Sequence, residues 1–272
     1  MRVNPVLKPI LKWVGGKRQL LDDILPLIPQ CSTYVEPFVG GGAVLLSLQP
    51  KKAVINDYNA ELINVYVCVR DHLEELLEML ERHKELNSAD HFYKVRALDR
   101  EPGFEDLPPV ERAARIIYLN KTCYNGFNSA GQFNSPYGKY KNPAIVNEPV
   151  VRAMSTYLNG GVKILCGDYG QALKGLRKGA FVYLDPPYMP ISSSSSFTGY
   201  TEGGFGYDEQ VRLKEECDKL ASKGIHFMQS NSDCPEIRAL YSDYEILTVK
   251  AKRAINSRGN RRGEINEVLI RG

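Results

Sequence analysis

The sequence predicts an α/β fold with a mainly parallel sheet, and three observations lead to that prediction. Short apolar runs recur along the chain, and several are separated by helix-like stretches. The first run leads directly into three glycines and a helix-like AVLLSL, as in a strand-turn-helix unit. Between residues 58 and 149 the pattern changes to charged helical segments and a polar, turn-rich stretch. We therefore expect one sheet domain that is interrupted by an inserted subdomain.

The predicted strands are the apolar runs that turn signals bound, and they are short enough for core strands. In chain order they lie at 33–39, 53–55, 162–166, 181–184, 225–229, 244–249 and 267–270. Within the insertion, residues 60–86 carry apolar positions at helical spacing, and 109–119 predict a second helix. Residues 120–143 are too polar for a core and predict a long exposed loop or hairpin. The predicted organisation is therefore a first sheet segment at 1–57, an insertion at 58–149 and a second sheet segment at 150–272.

Composition excludes several classes of protein. The chain has 272 residues, 43% of them hydrophobic, which is enough for a sizeable core. Its net charge of +3 and pI of about 8.4 permit an anionic partner, but any basic surface must be local. The six cysteines include no CxxC pair, which disfavours a zinc site or a disulfide framework. We expect no metal, no signal peptide, no membrane span and a cytoplasmic location.

Four acids follow predicted strands: Glu36, Asp57, Asp168 and Asp185. If the strands are parallel, all four lie at one edge of the sheet, where ligands bind in open α/β folds. The glycine spacing matches neither a dinucleotide fingerprint nor a P-loop, which disfavours a pyrophosphate or a nucleoside triphosphate. Asp57, 17 residues after Gly40, suits either a ribose-binding acid or the N-cap of the next helix. The four acids together favour a nucleoside-bearing cation.

The stretch FVYLDPPY ends a buried strand on Asp185, two prolines and Tyr188. The exocyclic amino group of an aromatic base is a poor nucleophile, because its lone pair is delocalised into the ring. Two acceptors, the Asp185 side chain and the Pro186 carbonyl, could hold that nitrogen toward tetrahedral geometry while Tyr188 stacks on the base. Pro187 keeps Pro186 extended and so fixes its carbonyl. The alternative is a proline-rich turn in which Asp185 caps a local group and Tyr188 covers the core.

Together these residues resemble the Dam-type DNA adenine methyltransferases, including the adenine methylases that accompany restriction enzymes cutting at GATC. The motifs LKWVGGK, EPFVGGG, IND, NKTCYNG, FNSPYG, CGDY and DPPY follow the family's order over nearly the whole chain. The resemblance implies a Rossmann-like S-adenosylmethionine-dependent methyltransferase sheet with an inserted helical and β-hairpin DNA-recognition domain. It also implies direct methyl transfer to N6 of an adenine flipped out of duplex DNA, without a metal.

The resemblance assigns roles to individual residues. It implies catalytic roles for Asp185, Pro186 and Tyr188. The implied S-adenosylmethionine pocket comprises Trp13, Lys17, Glu36, Phe38, Gly40, Asp57, Asp168, Tyr169 and Asp185. The implied DNA contacts are Lys12, Tyr124, Asn125, Phe127, Pro136 and Tyr140, with Lys121, Lys139 and Lys141 suited to phosphates. Against each lysine stands the alternative of a solvated basic loop.

The chain departs from the family in the hairpin. Family members usually carry an arginine between NG and FN, whereas this chain has only FNSAGQ there. Because arginine paired to guanine is the commonest specific base contact, recognition of GATC is open.

Two further segments have a distinctive composition. Residues 190–207 are rich in serine and glycine and predict a loop that orders over the site, and residues 250–262 are strongly basic. Alternatives are a catalytically silent DNA-binding protein or methylation of an RNA or protein amide nitrogen, and a separate restriction endonuclease partner is open.

Overall fold

A computed structural model describes residues 3–13, 15–124, 133–189, 205–252 and 264–272. Its centre is one seven-stranded sheet in the order β3-β2-β1-β4-β5-β7-β6. The strands are β1 (Thr33–Glu36), β2 (Ala53–Asp57), β3 (Val162–Cys166), β4 (Ala180–Leu184), β5 (His226–Ser232), β6 (Glu245–Lys252) and β7 (Glu264–Arg271). The helices in this part of the chain are α1 (Leu21–Ile24), α2 (Ala43–Leu48), α3 (Ala60–Asp71), α4 (Leu73–Glu85), α5 (Ala89–Ala97), α6 (Pro109–Thr122), α7 (Glu148–Asn159), α8 (Gly170–Leu173), α9 (Tyr207–Ser222) and α10 (Pro235–Leu240).

The predicted α/β class with a mainly parallel sheet is confirmed. Strands β1 to β5 pair in parallel, and β7 runs antiparallel between β5 and β6. From β1 the chain moves outward through β2 to β3, then returns to place β4 on the other side of β1. The β1–β4 junction is thus the topological switch point, where a crevice opens at the carboxyl ends of the strands.

Both faces of the central strands are buried, which explains their continuous apolar runs. On β4, Phe181 and Tyr183 face one hydrophobic core, while Val182 and Leu184 face the other. The first core continues without a break from the sheet into helices α3 to α7. Helix α3 packs against β2 and β3 as well as against α4, α6 and α7, so it joins the sheet to these helices. The boundaries predicted at residues 57 and 149 remain predictions.

Most predicted elements are present, with bounds that differ for physical reasons. Strand β1 ends at Glu36 instead of residue 39, because Pro37 has no N–H for the ladder. The single helix predicted over 60–86 is two helices that meet at His72. Helix α6 continues to Thr122, and β6 and β7 are longer than predicted because they pair as long antiparallel neighbours. Helix α5 was missed.

The described residues include no helix that is long and apolar enough to cross a bilayer. They also include no group of three or more His, Cys, Asp or Glu side chains that could hold a metal ion.

Candidate active site

The four acids singled out in the sequence lie at the carboxyl ends of β1 to β4. Glu36 and Asp57 are the last residues of β1 and β2, Asp168 lies two residues beyond β3, and Asp185 directly follows β4. Parallel pairing brings these strand ends to the same edge of the sheet. The predicted alignment is therefore present.

The glycine-rich turn after β1 is folded so tightly that side chains are excluded. Gly40 and Gly42 have φ of 47° and 69°, in the left-handed region that favours glycine. A Cβ on Gly40 would lie 2.9 Å from Cδ1 of Trp13, and one on Gly42 would lie 2.6 Å from the Tyr66 hydroxyl. The Tyr66 hydroxyl also donates to the Gly40 carbonyl at 2.9 Å. The turn is thus a fixed cradle of backbone with the Trp13 ring against it.

Asp57 fastens this turn from the neighbouring strand. Its Oδ2 accepts a hydrogen bond from the Gly40 N–H at 3.0 Å, and its Oδ1 accepts one from the Asn59 N–H at 3.0 Å. Burial raises the pKa of Asp57, and the backbone hydrogen bonds from Asn59 and Gly40 oppose that rise. The N-cap of α3 is Asn59, whose side chain accepts from the Leu62 N–H. The alternative in which Asp57 caps α3 is therefore wrong.

Glu36 is a buried acid beneath the crevice. Its Oε2 accepts a hydrogen bond of 2.8 Å from the Tyr34 hydroxyl. Burial and, to a smaller extent, the nearby Asp185 charge raise the pKa of Glu36 to about 8, although the Tyr34 hydrogen bond opposes that rise. A cation brought close to this carboxyl would favour its ionised form.

Asp185, Lys17 and Tyr188 form one cluster at the end of β4. Lys17 Nζ lies 2.8 Å from Asp185 Oδ1, in an ion pair that does not meet hydrogen-bond geometry, and donates to the Gly15 carbonyl at 2.6 Å. The same ammonium lies 4.7 Å from the Tyr188 ring centroid. Burial raises the pKa of Asp185 to about 6, although Lys17 lowers it. The Asp185 side chain keeps 19% of its surface exposed, so it is accessible from the crevice.

A polar network under the DPPY segment was missed by the sequence analysis. Gln210 on α9 donates to the Pro187 carbonyl at 3.0 Å and accepts from the Asn231 side chain at 2.9 Å. Asn231 Oδ1 accepts from the Met189 N–H, and the Ser232 hydroxyl donates to the Met189 carbonyl. The only available sequence signal was the polar SNS at the end of a strand that should be apolar. These side chains hold the backbone on which the predicted catalytic residues sit.

Tyr188 is held at its far end as well. Its hydroxyl donates to Glu267 Oε2 on β7 at 2.7 Å. Burial raises the pKa of Tyr188 well above its usual value, so the hydroxyl stays protonated and keeps this hydrogen bond. The ring plane of Tyr188 is therefore fixed by contacts at both ends.

Three aromatic rings form the opposite wall of the crevice. Phe38 lies 5.1 Å from Tyr169 and 5.9 Å from Phe205, measured between ring centroids. Arg212 on α9 lies over the Tyr169 ring and forms a two-pronged ion pair with Asp168, with Nη2 at 2.9 and 2.8 Å from its two oxygens. Asp168 thus joins α9 to this wall. Arg212 had no sequence signal, because it belongs to no motif, whereas Phe205 lies within the segment 190–207 that was predicted as a loop over the site.

The predicted DNA contacts lie mainly around the end of α6. Tyr124 is 57% exposed, and its N–H donates to the Pro136 carbonyl at 2.8 Å. Tyr140 is also exposed, with Lys12 Nζ 5.3 Å from its ring centroid. An isolated antiparallel bridge joins Cys123 to Tyr137 and forms the base of the predicted hairpin. Asn125, Phe127 and the rest of 125–132 lie outside the described residues, as do 190–204 and 253–263.

The lysines around this base repel one another. Burial, together with the charges of Lys12, Lys8 and Arg18, lowers the pKa of Lys121 to about 8. Lys139, at φ 52°, and Lys141 lie on the arm that follows. Such a group of like charges suits an anionic partner.

The segment that carries Lys12 and Trp13 is tied to α6. Asn120, fully buried, accepts from the Lys12 N–H at 2.8 Å and donates to the Lys12 carbonyl at 2.8 Å. This residue stands in the NKTCYNG motif, but its partner lies 108 positions away and could not be inferred from spacing. It connects the crevice to the base of the hairpin.

The residues at the crevice fit S-adenosylmethionine. Glu36 and Asp57 are acids whose pKa burial has raised, and a sulfonium or ammonium would favour their charged forms. The turn at Gly40 presents backbone without a side chain, and the partly exposed Trp13 and Phe38 rings offer faces for a purine. Anionic, backbone and aromatic groups together match a cationic nucleoside.

Comparison with known proteins agrees with this geometry. Residues 13–255 match the family model described as D12 class N6 adenine-specific DNA methyltransferase. The chain is 45% identical over 269 residues to the type II methyltransferase M1.LlaDCHI of Lactococcus lactis subsp. cremoris, covering 97% of this chain and 95% of that protein. It is 41% identical to the type II methyltransferase M.MjaIII of Methanocaldococcus jannaschii, covering 97% and 98%. It is 32% identical to the DNA adenine methylase of Escherichia coli K12, covering 96% and 94%.

The match therefore includes the Gly-rich turn, helices α3 to α7 and the DPPY segment in one alignment of nearly full length. With the strand-end acids, the backbone cradle and the Asp185 cluster at one edge of the sheet, this establishes the family: the chain belongs to the D12 class of N6 adenine-specific DNA methyltransferases.

Proposed function

We propose that this chain transfers the methyl group of S-adenosylmethionine to N6 of an adenine flipped out of duplex DNA, with Asp185, Pro186 and Tyr188 around the base. The observation that carries the proposal is the cluster of Asp185, Lys17 and Tyr188 at the end of β4, in a chain of this family. Flipping is required because the amino nitrogen is otherwise held within a base pair.

The proposed chemistry depends on what these groups do to the amino nitrogen. S-adenosylmethionine, when bound, supplies an electrophilic methyl group on a positively charged sulfur. Lys17 pairs with Asp185 Oδ1, which leaves Oδ2 to accept one N–H of the base, while the Pro186 carbonyl accepts the other. Tyr188, fixed by Glu267, stacks on the ring and sets its plane. Asp185 is ionised at neutral pH with its pKa of about 6, so its carboxylate would accept the proton that the nitrogen loses as its lone pair forms the new bond to the methyl carbon.

The proposed roles of the remaining crevice residues follow from the same arrangement. Trp13, Lys17, Glu36, Phe38, Gly40, Asp57, Asp168, Tyr169 and Asp185 form the proposed cofactor pocket. Because Asp168 already holds Arg212, we propose that its part is to keep the Tyr169 wall in place through α9.

The reaction and its target are tested together by expressing the chain in a host without adenine methylation and mapping modified bases by single-molecule sequencing. Methyladenine in one short motif is the expected result. Folded protein that binds S-adenosylmethionine but leaves no methyladenine would contradict the proposal. A silent DNA-binding protein would then retain DNA without turnover, and an RNA or protein amide methylase would modify those substrates instead.

The proposed role of Asp185 has its own test. Asp185→Ala should lower turnover by at least about 10²-fold, because one acceptor for the amino group is lost. The dissociation constant for S-adenosylmethionine distinguishes this from a collapsed pocket, and Asp22→Ala, at an exposed aspartate on α1, is the matched control. Near-wild-type turnover of Asp185→Ala would exclude the proposed role.

The recognition sequence is proposed to depend on the hairpin. Lys12, Tyr124, Asn125, Phe127, Pro136 and Tyr140 are the proposed base-side contacts, and Lys121, Lys139 and Lys141 the proposed phosphate contacts. Grafting an arginine-bearing loop between Gly126 and Phe133 should change the methylated motif. An unchanged motif would contradict a base-reading role for that loop.

The cellular setting is also a proposal. Two of the relatives are named type II methyltransferases, which supports a restriction-modification context with a separate endonuclease acting at the same site. A cytoplasmic location is proposed with it, since the substrate is cellular DNA.

A further inference from the structure

Two consecutive side chains outside the hairpin grip the start of its second arm. Asp99 Oδ2 accepts a hydrogen bond from the Phe133 N–H at 2.8 Å. Arg100 Nη2 donates to the Phe133 carbonyl at 3.1 Å and to Asn134 Oδ1 at 2.6 Å. Both backbone groups of Phe133 are thus occupied by the turn that follows α5.

This grip is anchored in the core of the inserted helices. Asp99 forms an ion pair of 2.9 Å with Arg115 on α6, and the two side chains are only 8% and 3% exposed. Arg115 also donates to the Val95 and Arg96 carbonyls, each at 2.8 Å. We call Asp99, Arg100 and Arg115 the hairpin brace. It connects α5, α6 and the arm through charged groups.

The brace acts closer to the hairpin tip along the chain than the cross-strand bonds of the described residues. The bonds that join the arm to the end of α6 are Tyr124 N–H to the Pro136 carbonyl and Gly138 N–H to the Thr122 carbonyl. Residues 133–135 precede both, and the Phe133 ring is buried against Phe92. The brace therefore fixes the arm on the side of the hairpin tip.

A buried ion pair is a costly way to fix a loop. Removing two charges from water can cost more than their attraction returns, so an apolar contact would often stabilise the fold equally well. Charged groups with two or three directed hydrogen bonds instead fix position closely, and base readout needs that accuracy because donors and acceptors must meet at hydrogen-bond distance.

We propose that Asp99 and Arg100 are positioning residues for DNA recognition: they hold Phe133 and Asn134, and so keep the proposed contacts at Pro136 and Tyr140 in position to meet the duplex. This rests on the proposed function. Neither residue needs to touch DNA. They stand in the helical part of the insertion, away from the hairpin where the family arginine is absent.

The test uses Arg100, whose side chain is 32% exposed and is therefore replaceable without opening the core. Arg100→Ala should lower the ratio of kcat/KM between the mapped target duplex and a duplex with one base pair changed by about 10-fold. Arg100→Lys keeps the charge but not the fork of donors, and should recover part of that ratio. Arg82→Ala, at an exposed arginine on α4 paired with Glu78, is the matched control for loss of one positive charge and should keep the wild-type ratio. The dissociation constant for S-adenosylmethionine should be the same in all four proteins.

Three results would overturn the inference. A lower melting temperature with an unchanged ratio would assign the brace to stability alone. Equal loss on both duplexes with a shallower salt dependence would make Arg100 a phosphate contact. An Arg100→Ala variant with wild-type discrimination and wild-type stability would show that Arg100 has no positioning role.

The discrimination between the two duplexes is also measured as a ratio of binding affinities, on a target duplex obtained by selection with the wild-type chain. This measurement separates a failure of the proposed function from a failure of the inference. Wild type that discriminates in binding without methylating DNA contradicts the proposed function. In that case a loss of binding discrimination in Arg100→Ala still supports the brace, and its retention overturns it.

Discussion

Glu36 is buried and Asp185 is partly buried, and the two carboxyls are neighbours at the edge of the sheet. Each has a raised pKa, so ionising them costs the folded protein free energy that the unfolded chain does not lose. A site for a cation can tolerate this cost, because a bound cation stabilises the ionised carboxyls. The site therefore favours ligand binding and lowers the stability of the ligand-free protein.

Glu36→Gln should stabilise the protein, and increasingly so as the pH rises. The pKa of Glu36 is raised from its ordinary 4.5 to about 8, so its stabilising contribution is complete below pH 4.5 and is lost as the pH rises through 8. Between pH 6 and pH 9 the variant should gain on the order of 1 to 3 kcal/mol in free energy of unfolding relative to wild type. Urea unfolding at the two pH values measures the difference.

Glu36→Gln should also weaken the binding of S-adenosylmethionine, because it removes an anion near a cationic ligand. Glu245→Gln, at an exposed glutamate paired with Arg271, serves as the comparison and should show no such dependence on pH. A constant difference between Glu36→Gln and wild type across this range would mean that Glu36 is not buried in its neutral form.

Lys17→Met should move the acidic limb of the kcat/KM profile to higher pH. The ammonium lowers the pKa of Asp185, which burial otherwise raises, so its loss should shift the limb upward by on the order of 1 pH unit. Ionised Asp185 is the stronger acceptor for the amino N–H and can take up the proton of the nitrogen, so activity falls as the pH drops through that limb. Lys17→Arg keeps the cation and should retain the wild-type limb; the same limb in Lys17→Met would contradict the role of the pair.

At the scale of elements, α3 carries much of the connection between sheet and insertion. Its N-cap is Asn59, which accepts from the Leu62 N–H at 2.9 Å. Asn59→Ala should lower the free energy of unfolding by about 0.5 to 2 kcal/mol, as for other lost N-caps. Chemical denaturation measures it, and Asn59→Ser, which restores an acceptor, should recover most of the loss. Equal stability of all three proteins would show that the cap contributes nothing.

The sequence predicted elements well where the pattern was local. The strands before Asp57, Asp168 and Asp185 were found from apolar runs and turn residues, and the strand-end acids followed from parallel pairing. The helix break at His72 was missed because the apolar period continues across it. Helix α5 was missed because its charged and aromatic residues carry a weak period, and its role appears only through contacts with residues 133–135.

The candidate site shows the same limit. Asp185 and Tyr188 belong to a motif whose chemistry can be argued from four letters. Gln210, Asn231 and Asn120 act across 21 to 108 positions of sequence, through hydrogen bonds that no spacing reveals. Motif residues could be predicted, whereas the residues that hold them in place required the fold.

At the scale of the whole molecule, the sheet and the inserted helices share one hydrophobic core. It runs from Tyr34 and Ile55 in the sheet through Leu62 to Tyr118 and Phe133. We therefore expect a single cooperative unfolding transition, with equal calorimetric and van't Hoff enthalpies. Two separate transitions by calorimetry would show that the inserted segment unfolds as an independent unit.

The double hydrogen bond between Asn120 and Lys12 has a consequence for how the two substrates meet. It ties the segment that carries Lys12 and Trp13 beside the crevice to α6, the helix that leads into the predicted hairpin. If one ligand shifts this connection, the affinity for the other ligand changes as well. Thermodynamic reciprocity requires the two effects on affinity to be equal. An inhibitor that occupies the crevice should therefore change the affinity for DNA by the same factor by which DNA changes the affinity for the inhibitor.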